Sequence, residues 1–229
     1  MDTPDFSDFA RDYDRMNSIL SLGRHGAWRS AAVREIPRNA KRVLDLACGT
    51  GDFSLEIAAR IADAEVEGLD LSGEMVSLAR AKLPERLANR VRFAVGDASD
   101  LSRFPDGSFD AVTCAFGFRN FADRKRALSE VVRVLRRDGV LVVLEFFRPS
   151  GGILPAATRL WIKFAARVFA ARHVAAYDYL ADSIARTVSA DEFAEIARGA
   201  GCSKIRRTRF FPDTSCMVFR RSPERPKIV

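Results

Sequence analysis

The chain has 229 residues, of which 48% are hydrophobic and 29% charged, with a formal net charge of +7. This length and ordinary composition predict one globular domain over 1–229 and exclude a fibrous or low-complexity protein. The acidic N-terminus does not resemble a secretory signal, and the apolar run 140–147 is too short to span a bilayer. We therefore interpret the protein as cytoplasmic, and its basic charge favours contact with an anionic partner.

The cysteine pattern gives little support for a metal site or a disulfide framework. The four cysteines are far apart, contain no C-x-x-C pair and have few histidines near them. We expect them to be reduced, buried, small hydrophobic residues and expect no bound metal. They are Cys48, Cys114, Cys202 and Cys216.

Strand-like and helical segments alternate along most of the chain. The strand-like runs are 42–47, 65–70, 91–96, 109–115 and 139–146, followed by 204–211 and 215–220. Alternation of this kind predicts a parallel sheet covered on both faces, and the short link before the last strand predicts an antiparallel pair. We therefore predict an α/β, Rossmann-like, mostly parallel seven-stranded sheet with a C-terminal antiparallel hairpin, typical of a class I methyltransferase.

Capping residues predict where several helices begin and end. Ser72 and Asp123 each stand before a helical pattern, and Ser189 with Glu192 has the spacing of a capping box. Gly139 is expected to end the helix that Asp123 begins.

A glycine turn follows the first strand, in the segment VLDLACGTGD at 43–52. Gly49 and Gly51 allow a tight turn and a close approach to a ligand, and the next helix begins with its amides facing that ligand. A dinucleotide fingerprint requires a third glycine where this chain has Ser54. The pattern therefore favours a cofactor that contains adenosine but no phosphates.

Three aspartates stand at or near the ends of successive strands and are candidate cofactor ligands. Asp45 lies in the first strand, Asp70 is placed to reach ribose hydroxyls, and Asp97 is placed near an adenine edge. S-adenosylmethionine has the corresponding outline. The alternative is that each aspartate only caps a helix or a turn.

Two appendages lie outside the predicted sheet. Residues 1–36 are expected to form a helical lid, and residues 149–188 a helical insert before the last two strands. Both are expected to cover the edge of the sheet at which open α/β folds bind ligands, and so to select the substrate.

The insert contains an apolar helical pattern at 153–172 with one basic stripe. Arg159, Lys163 and Arg167 are spaced four apart among apolar residues. This pattern favours an interfacial helix that docks on an anionic membrane. The alternative is a helix packed on the protein's own core or on a second copy in a homo-oligomer.

One long segment resembles a known signature. Residues 13–28, YDRMNSILSLGRHGAW, resemble the N-terminal signature of the ubiquinone and menaquinone biosynthesis C-methyltransferases. The resemblance continues through the glycine turn and most of the chain. Its further segments are FGFRNFAD at 116–123, RVL at 133–135, LEF at 144–146 and YDYLADSI at 177–184.

The resemblance implies S-adenosylmethionine-dependent methylation of a ring carbon on a polyprenylated quinol. Positions that match the family's cofactor contacts are Thr50 in the glycine turn, Asp70 at the ribose, and Asp97 with Ala98 near the adenine. A fourth contact falls at Ala115, where the family commonly has serine.

Carbon methylation requires a quinol oxyanion, which makes the ring carbon nucleophilic. Arg119 is the candidate for stabilising that oxyanion, and Asn120 adds a neutral donor. The proton acceptor is assigned to Asp14, His25 or a water that they orient. The alternatives are an ion pair of Arg119 with Asp123 and a structural hydrogen bond for His25.

Two further residues near these segments have open roles. Trp28 either packs the lid or contacts the substrate, and Glu145 either faces the substrate or caps the following loop.

The preferred acceptor is a demethylmenaquinol-like naphthoquinol or a methoxybenzoquinol. Other interpretations are a methyltransferase of the same fold that acts on another amphiphile, and a non-catalytic cofactor-binding partner in a quinone-biosynthesis complex. An RNA-binding protein agrees with the charge but lacks an aromatic-basic RNA motif, so no nucleic acid is expected.

Overall fold

A computed structural model of the chain describes residues 21, 23–148, 183, 186–210 and 214–222. Seven strands form one sheet in the order β3-β2-β1-β4-β5-β7-β6. The strands are β1 (Arg42–Leu46), β2 (Glu65–Asp70), β3 (Val91–Val95), β4 (Phe109–Ala115), β5 (Leu135–Phe146), β6 (Cys202–Phe210) and β7 (Thr214–Arg221). The α-helices within the described ranges are α1 (His25–Val33), α2 (Asp52–Arg60), α3 (Gly73–Lys82), α4 (Arg124–Val134) and α5 (Ala190–Gly199).

The sheet topology confirms the predicted fold. Strands β1 to β5 pair in parallel, and β7 pairs antiparallel with both β5 and β6. Central strands are buried on both faces, which explains their nearly continuous apolar sequences.

Helices cover both faces of the sheet. Helices α1, α2 and α3 pack on one face, where Trp28, Ile57 and Val76 belong to one apolar cluster. Helices α4 and α5 pack on the other face, where Leu128 and Phe193 belong to a second cluster. The sheet therefore separates two apolar cores.

The predicted helix starts are confirmed. The side chain of Ser72 accepts a hydrogen bond from the Met75 amide at 3.3 Å, and Asp123 accepts one from the Arg126 amide at 2.9 Å. Ser189 and Glu192 form the expected capping box at the start of α5. Each cap satisfies an amide that the helix cannot pair internally.

The predicted role of Gly139 is wrong. Helix α4 ends at Val134, and β5 begins at the next residue rather than at Gly139. The register of β5 shifts where Asp138 turns the chain with a φ of 64°. A Cβ on Gly139 would lie 2.9 Å from the Arg136 carbonyl oxygen, so the glycine serves this irregular strand entry and not a helix end.

The four cysteines are free and buried, as expected for small hydrophobic residues. Burial raises the pKa of Cys202 and of Cys216 to about 12. Both therefore remain neutral thiols at physiological pH.

Parts of both appendages lie outside the described residues. Of the predicted lid at 1–36, the structure describes α1 and the turn before it. Most of the predicted insert at 149–188, including the segment 153–172, lies outside the described residues. The single-domain organisation therefore stays a prediction. No helix in the described ranges is long and apolar enough to cross a bilayer.

Candidate active site

The site lies where the connections from two adjacent strands diverge. Strand β1 leads to β2 on one side and β4 leads to β5 on the other, and β1 and β4 are neighbours. Open α/β sheets bind ligands at such a point, beyond the carboxyl ends of the strands. A cleft that is partly open to solvent lies there. Its lining consists of Arg29, Asp45, Ala47, Cys48, Gly49, Thr50, Asp52, Phe53, Ala115 and Phe116.

The two turns that border the cleft have uncommon backbone conformations. Ala47, after β1, has a φ of 51°, and Phe116, after β4, has a φ of 59°. The turns also touch, because a Cβ on Gly117 would lie 2.3 Å from the Cβ of Ala47. Non-glycine residues at positive φ persist only where the surroundings impose the conformation, and they cluster at functional sites.

The glycine turn is fixed by the end of the neighbouring strand. The Gly49 amide donates to Asp70 Oδ2 at 2.8 Å, and the Cys48 amide donates to the Leu69 carbonyl at 3.0 Å. Gly51 stands before α2 with a φ of 85°, and a Cβ there would lie 2.7 Å from the ring of Phe93. The turn thus requires glycine for conformation and for space.

Asp45 is a buried carboxylate at the base of the cleft. It accepts hydrogen bonds from Ser54 Oγ at 2.6 Å and from Thr113 Oγ1 at 2.7 Å. Burial raises its pKa to about 6, although both hydroxyl donors act in the opposite direction. The Ser54 that replaces the third glycine of a dinucleotide fingerprint therefore serves to hold this carboxylate.

Asp70 ends β2 and organises the backbone around it. Its Oδ1 accepts from the Ser72 amide at 3.0 Å, while Oδ2 accepts from Gly49. Burial raises the pKa of this carboxyl, and the backbone donors partly offset that effect. Asp70 thus stabilises a turn, which was the alternative considered for it, and its contact with a ribose stays a prediction.

Asp97 and Ala98 follow β3, outside the lining of the cleft between β1 and β4. Asp97 is exposed, and its Oδ1 accepts from the amide and hydroxyl of Ser99 at 2.7 and 2.8 Å. It is thus a turn aspartate, whereas Ala98 is buried. Their adenine contact also stays a prediction.

A chain of polar contacts joins the glycine turn to two helices. Lys82 Nζ, at the end of α3, lies 3.0 Å from Thr50 Oγ1 and 3.1 Å from Asp52 Oδ1. Arg29 Nη2, on α1, lies 3.2 Å from Asp52 Oδ2. Neither cation was among the site residues predicted from the sequence. Arg29 lies one helical turn after the candidate His25, and this spacing could have indicated it. No local sequence pattern links Lys82 to Thr50, 32 positions away.

Arg119 is paired with a buried carboxylate in the turn after β4. Its Nη1 lies 2.8 Å from Glu145 Oε1, and the two side chains are 9% and 0% exposed. Nη1 also donates to the Phe116 carbonyl, and Nε donates to Ser183 Oγ at 3.3 Å. The alternative pairing with Asp123 is wrong, because that side chain caps α4.

Glu145 is saturated by donors from its own surroundings. Besides the Arg119 guanidinium, it accepts from the Arg119 amide at 3.2 Å and from the Phe146 amide at 2.9 Å. It thus fixes the turn after β4 and does not present a carboxylate to the cleft.

Aromatic rings flank the β4 and β5 side of the cleft. Trp28 is buried, and its ring centroid lies 6.1 to 6.4 Å from those of Phe116, Phe146 and Phe210. Phe116 and Phe146 also contact each other, with centroids 5.1 Å apart. The packing role considered for Trp28 is therefore present.

The structure describes three of the four remaining candidate site residues. His25 begins α1, and its Nδ1 lies 2.8 Å from Ser21 Oγ. Asn120 belongs to the same short turn as Arg119, and Ala115 lines the cleft at the end of β4. Asp14 lies outside the described residues.

The acidic side chains at the cleft fit a positively charged adenosine cofactor. Asp45 lines the cleft and Asp70 borders its glycine turn, and both are carboxylates that would repel a pyrophosphate. A ligand with a sulfonium, an ammonium and ribose hydroxyls has complementary charge and donors.

Solved structures agree with the fold. A SAM-dependent methyltransferase from Thermotoga maritima superposes with a TM-score of 0.67 at 21% identity, covering 95% of this chain and 98% of that chain. One from Aquifex aeolicus gives 0.66 at 16% identity, covering 91% and 97%.

Sequence relatives are more specific. The chain is 42% identical over 200 residues to the demethylmenaquinone methyltransferase of Deinococcus radiodurans, covering 86% of this chain and 82% of that protein. It is 38% identical over 209 residues to the ubiquinone/menaquinone biosynthesis C-methyltransferase UbiE of Citrifermentans bemidjiense, covering 88% and 87%.

The family assignment follows from a match along nearly the whole chain. The sequence profile of the ubiE/COQ5 methyltransferase family matches residues 4–217. Together with the sheet order and the carboxylates at its switch point, this match shows that the chain belongs to the ubiE/COQ5 methyltransferase family and is an S-adenosylmethionine-dependent C-methyltransferase.

Proposed function

We propose that this enzyme methylates a ring carbon of a prenylated quinol in respiratory quinone biosynthesis. The preferred acceptor is C2 of a demethylmenaquinol-like naphthoquinol, and the second is the equivalent carbon of a methoxybenzoquinol. The proposal is supported by relatives named demethylmenaquinone methyltransferase, which are 42% and 47% identical to the chain over the aligned residues.

Methyl transfer to carbon requires an electron-rich ring carbon on the acceptor. S-adenosylmethionine supplies an electrophilic methyl group on its sulfonium sulfur. The quinol must therefore present electron density at a ring carbon, which it gains when a neighbouring hydroxyl loses its proton. The enzyme's part is to stabilise the resulting aryl oxyanion and to hold the ring carbon in line with the methyl group.

The observation that carries the proposal is the geometry of Arg119. Its Nη1 and Nε are held by Glu145, Phe116 and Ser183, whereas Nη2 has no hydrogen-bond acceptor among the described residues. A guanidinium fixed on two nitrogens with the third available is a preorganised donor for an oxyanion. We assign Nη2 to the quinol oxygen, with Asn120 as a neighbouring neutral donor.

Proton removal needs a different group, because an arginine remains protonated at any physiological pH. We assign it to Asp14, His25 or a water that they orient. The Nδ1 atom of His25 lies 2.8 Å from Ser21 Oγ, and an imidazole can exchange protons near neutral pH.

The aromatic side chains beside the cleft suit a flat quinol ring. Phe116 and Phe146 are partly exposed and contact each other, and Phe116 follows Ala115, which lines the cleft. Offset or edge contacts with these rings would orient the acceptor without hydrogen bonds. The larger naphthoquinol gains more from such contacts than a benzoquinol does.

Access to a prenylated substrate calls for membrane contact at the inner face of the cytoplasmic membrane. We assign this contact to the basic stripe of the 153–172 segment, which lies outside the described residues. Flotation of the enzyme with liposomes tests it. Binding that requires anionic lipid supports the assignment, and absence of binding to any liposome contradicts it.

The activity is tested by anaerobic transfer of labelled methyl from S-adenosylmethionine to a reduced short-chain demethylmenaquinol, with a matched methoxybenzoquinol in parallel. Product masses identify the methylated ring. We expect turnover on the naphthoquinol and slower or no turnover on the benzoquinol. Binding of the cofactor without turnover on either quinol would contradict the proposal and favour another amphiphilic acceptor or a non-catalytic partner role.

A further inference from the structure

One cation in the cleft has no part in the chemistry described so far. Arg29 projects from α1 into the lining, and its side chain is 16% exposed. It is the one cationic side chain among the described residues that line the cleft. It contacts Asp52, the first residue of the helix that follows the glycine turn, which places it beside that turn.

Arg29 and Asp45 place opposite charges at this end of the cleft. The charge of Arg29 acts to lower the pKa of Asp45, against the larger effect of burial. A pair of opposite charges lining one cleft complements a zwitterion, and S-adenosylmethionine ends in an α-amino acid whose ammonium and carboxylate form one.

The present partner of Arg29 can release it at low cost. Asp52, whose side chain is 31% exposed, also contacts Lys82 Nζ at 3.1 Å. If Arg29 turns to a ligand, Asp52 keeps one cation and its contact with water. Because Asp52 keeps its contact with Lys82, the Arg29 guanidinium can turn to a ligand carboxylate that fits its fork.

We propose that Arg29 binds the α-carboxylate of the cofactor's methionyl group, while Asp45 faces its ammonium. The assignment rests on the S-adenosylmethionine dependence of the proposed function and not on the identity of the quinol. It also links cofactor binding to α1, because the residue before Arg29 is Trp28, which packs on the aromatic side of the cleft.

The test combines substitutions of Arg29 with truncated ligands in titration calorimetry on the full chain. The ligands are S-adenosylhomocysteine, decarboxylated S-adenosylmethionine and methylthioadenosine, which carry the whole amino acid, only the ammonium, and neither group. We expect Arg29→Gln to weaken S-adenosylhomocysteine binding about 10- to 100-fold, the usual range for a charge-assisted hydrogen bond. The other two ligands should bind within about twofold of the wild type. Arg29→Lys should recover part of the loss, since it keeps the charge but not the fork.

Arg60→Gln is the matched control, because Arg60 is also a helical arginine paired with a carboxylate, Glu56, but does not line the cleft. It should leave all three affinities unchanged. Equal losses for S-adenosylhomocysteine and methylthioadenosine in Arg29→Gln would mean that Arg29 only maintains the fold, and no loss would mean that it binds nothing; either result overturns the inference. Failure of the quinol assay with these affinities as expected would overturn the proposed acceptor alone.

Discussion

The two sides of the cleft are built in different ways. On the cofactor side, one continuous segment, 45–54, supplies Asp45, its donor Ser54 and the glycine turn, and Asp70 at the end of β2 accepts from the Gly49 amide. On the acceptor side, Arg119 is held by Glu145 and Ser183, which stand 26 and 64 positions away. The cofactor side is thus built around a motif that is continuous in the sequence, whereas the acceptor side depends on an ion pair between separate segments.

The largest effect should come from breaking the buried ion pair of the acceptor side. Glu145→Gln leaves the guanidinium of Arg119 buried without a counter-charge, and we expect a loss of about 3 to 5 kcal/mol in the free energy of unfolding. Urea denaturation measures it. Glu195→Gln, which removes an exposed pair with Arg198, is the control and should cause no measurable loss. Equal stability of the two variants would show that the buried pair does not hold the acceptor side together.

A smaller effect is expected from the glycine turn on the cofactor side. Gly51→Ala combines a positive φ with a clash against the Phe93 ring, and should lower the free energy of unfolding by about 2 kcal/mol. It should also weaken S-adenosylhomocysteine binding, because the turn must shift. Gly199→Ala is the control, since a Cβ there meets open space at the end of a helix. It should be neutral or slightly stabilising, and a loss in the control equal to that of Gly51→Ala would contradict the argument.

The smallest effect is a pH dependence confined to the cofactor side. With a pKa of about 6, Asp45 protonates between pH 7 and pH 5 and loses its attraction for the positively charged cofactor. Affinity for S-adenosylmethionine should fall about tenfold over this range, or about 1.4 kcal/mol. The pKa of Asp45 is higher in the folded than in the unfolded protein, so its protonation stabilises the fold. This contribution to the free energy of unfolding is full below the unfolded pKa and is lost as the pH rises through 6. The ligand-free enzyme should therefore become more stable over the same decrease in pH.

Asp45→Asn is the check on that assignment. Calorimetry should find weaker cofactor binding with a flatter pH profile, and any remaining slope would report Asp70, whose pKa burial also raises. A variant that keeps the full tenfold dependence would show that Asp45 is not the titrating group.

The contrast between the two sides also explains what the sequence could predict. The alternation of strands and helices, the caps at Ser72 and Asp123 and the glycine turn follow from local patterns, and the structure has them. The alternative considered for Arg119 was a pair with Asp123, which sequence proximity favoured, whereas the carboxylate that pairs with it comes from the adjacent strand β5.

Gly139 was misassigned for a related reason. A glycine after a helical pattern is a common helix end, yet here it follows a strand entry whose register is set by pairing with β4. Arg29 was missed although it stands one helical turn from His25, and its place in the cleft depends on how α1 packs beside the glycine turn. Contacts between distant segments therefore account for the errors, and local patterns account for the successes.

The most direct test of the account is to measure both sides of the cleft on one variant, Arg119→Gln. The account predicts that methyl transfer to the quinol falls about 100- to 1,000-fold, as expected for loss of an oxyanion donor, while calorimetric affinity for S-adenosylhomocysteine stays within about twofold of the wild type. Methyl transfer by Arg119→Lys should lie between that of the wild type and that of Arg119→Gln, since lysine keeps the charge without the fixed geometry. Undiminished methyl transfer, or a parallel loss of cofactor binding, would contradict it.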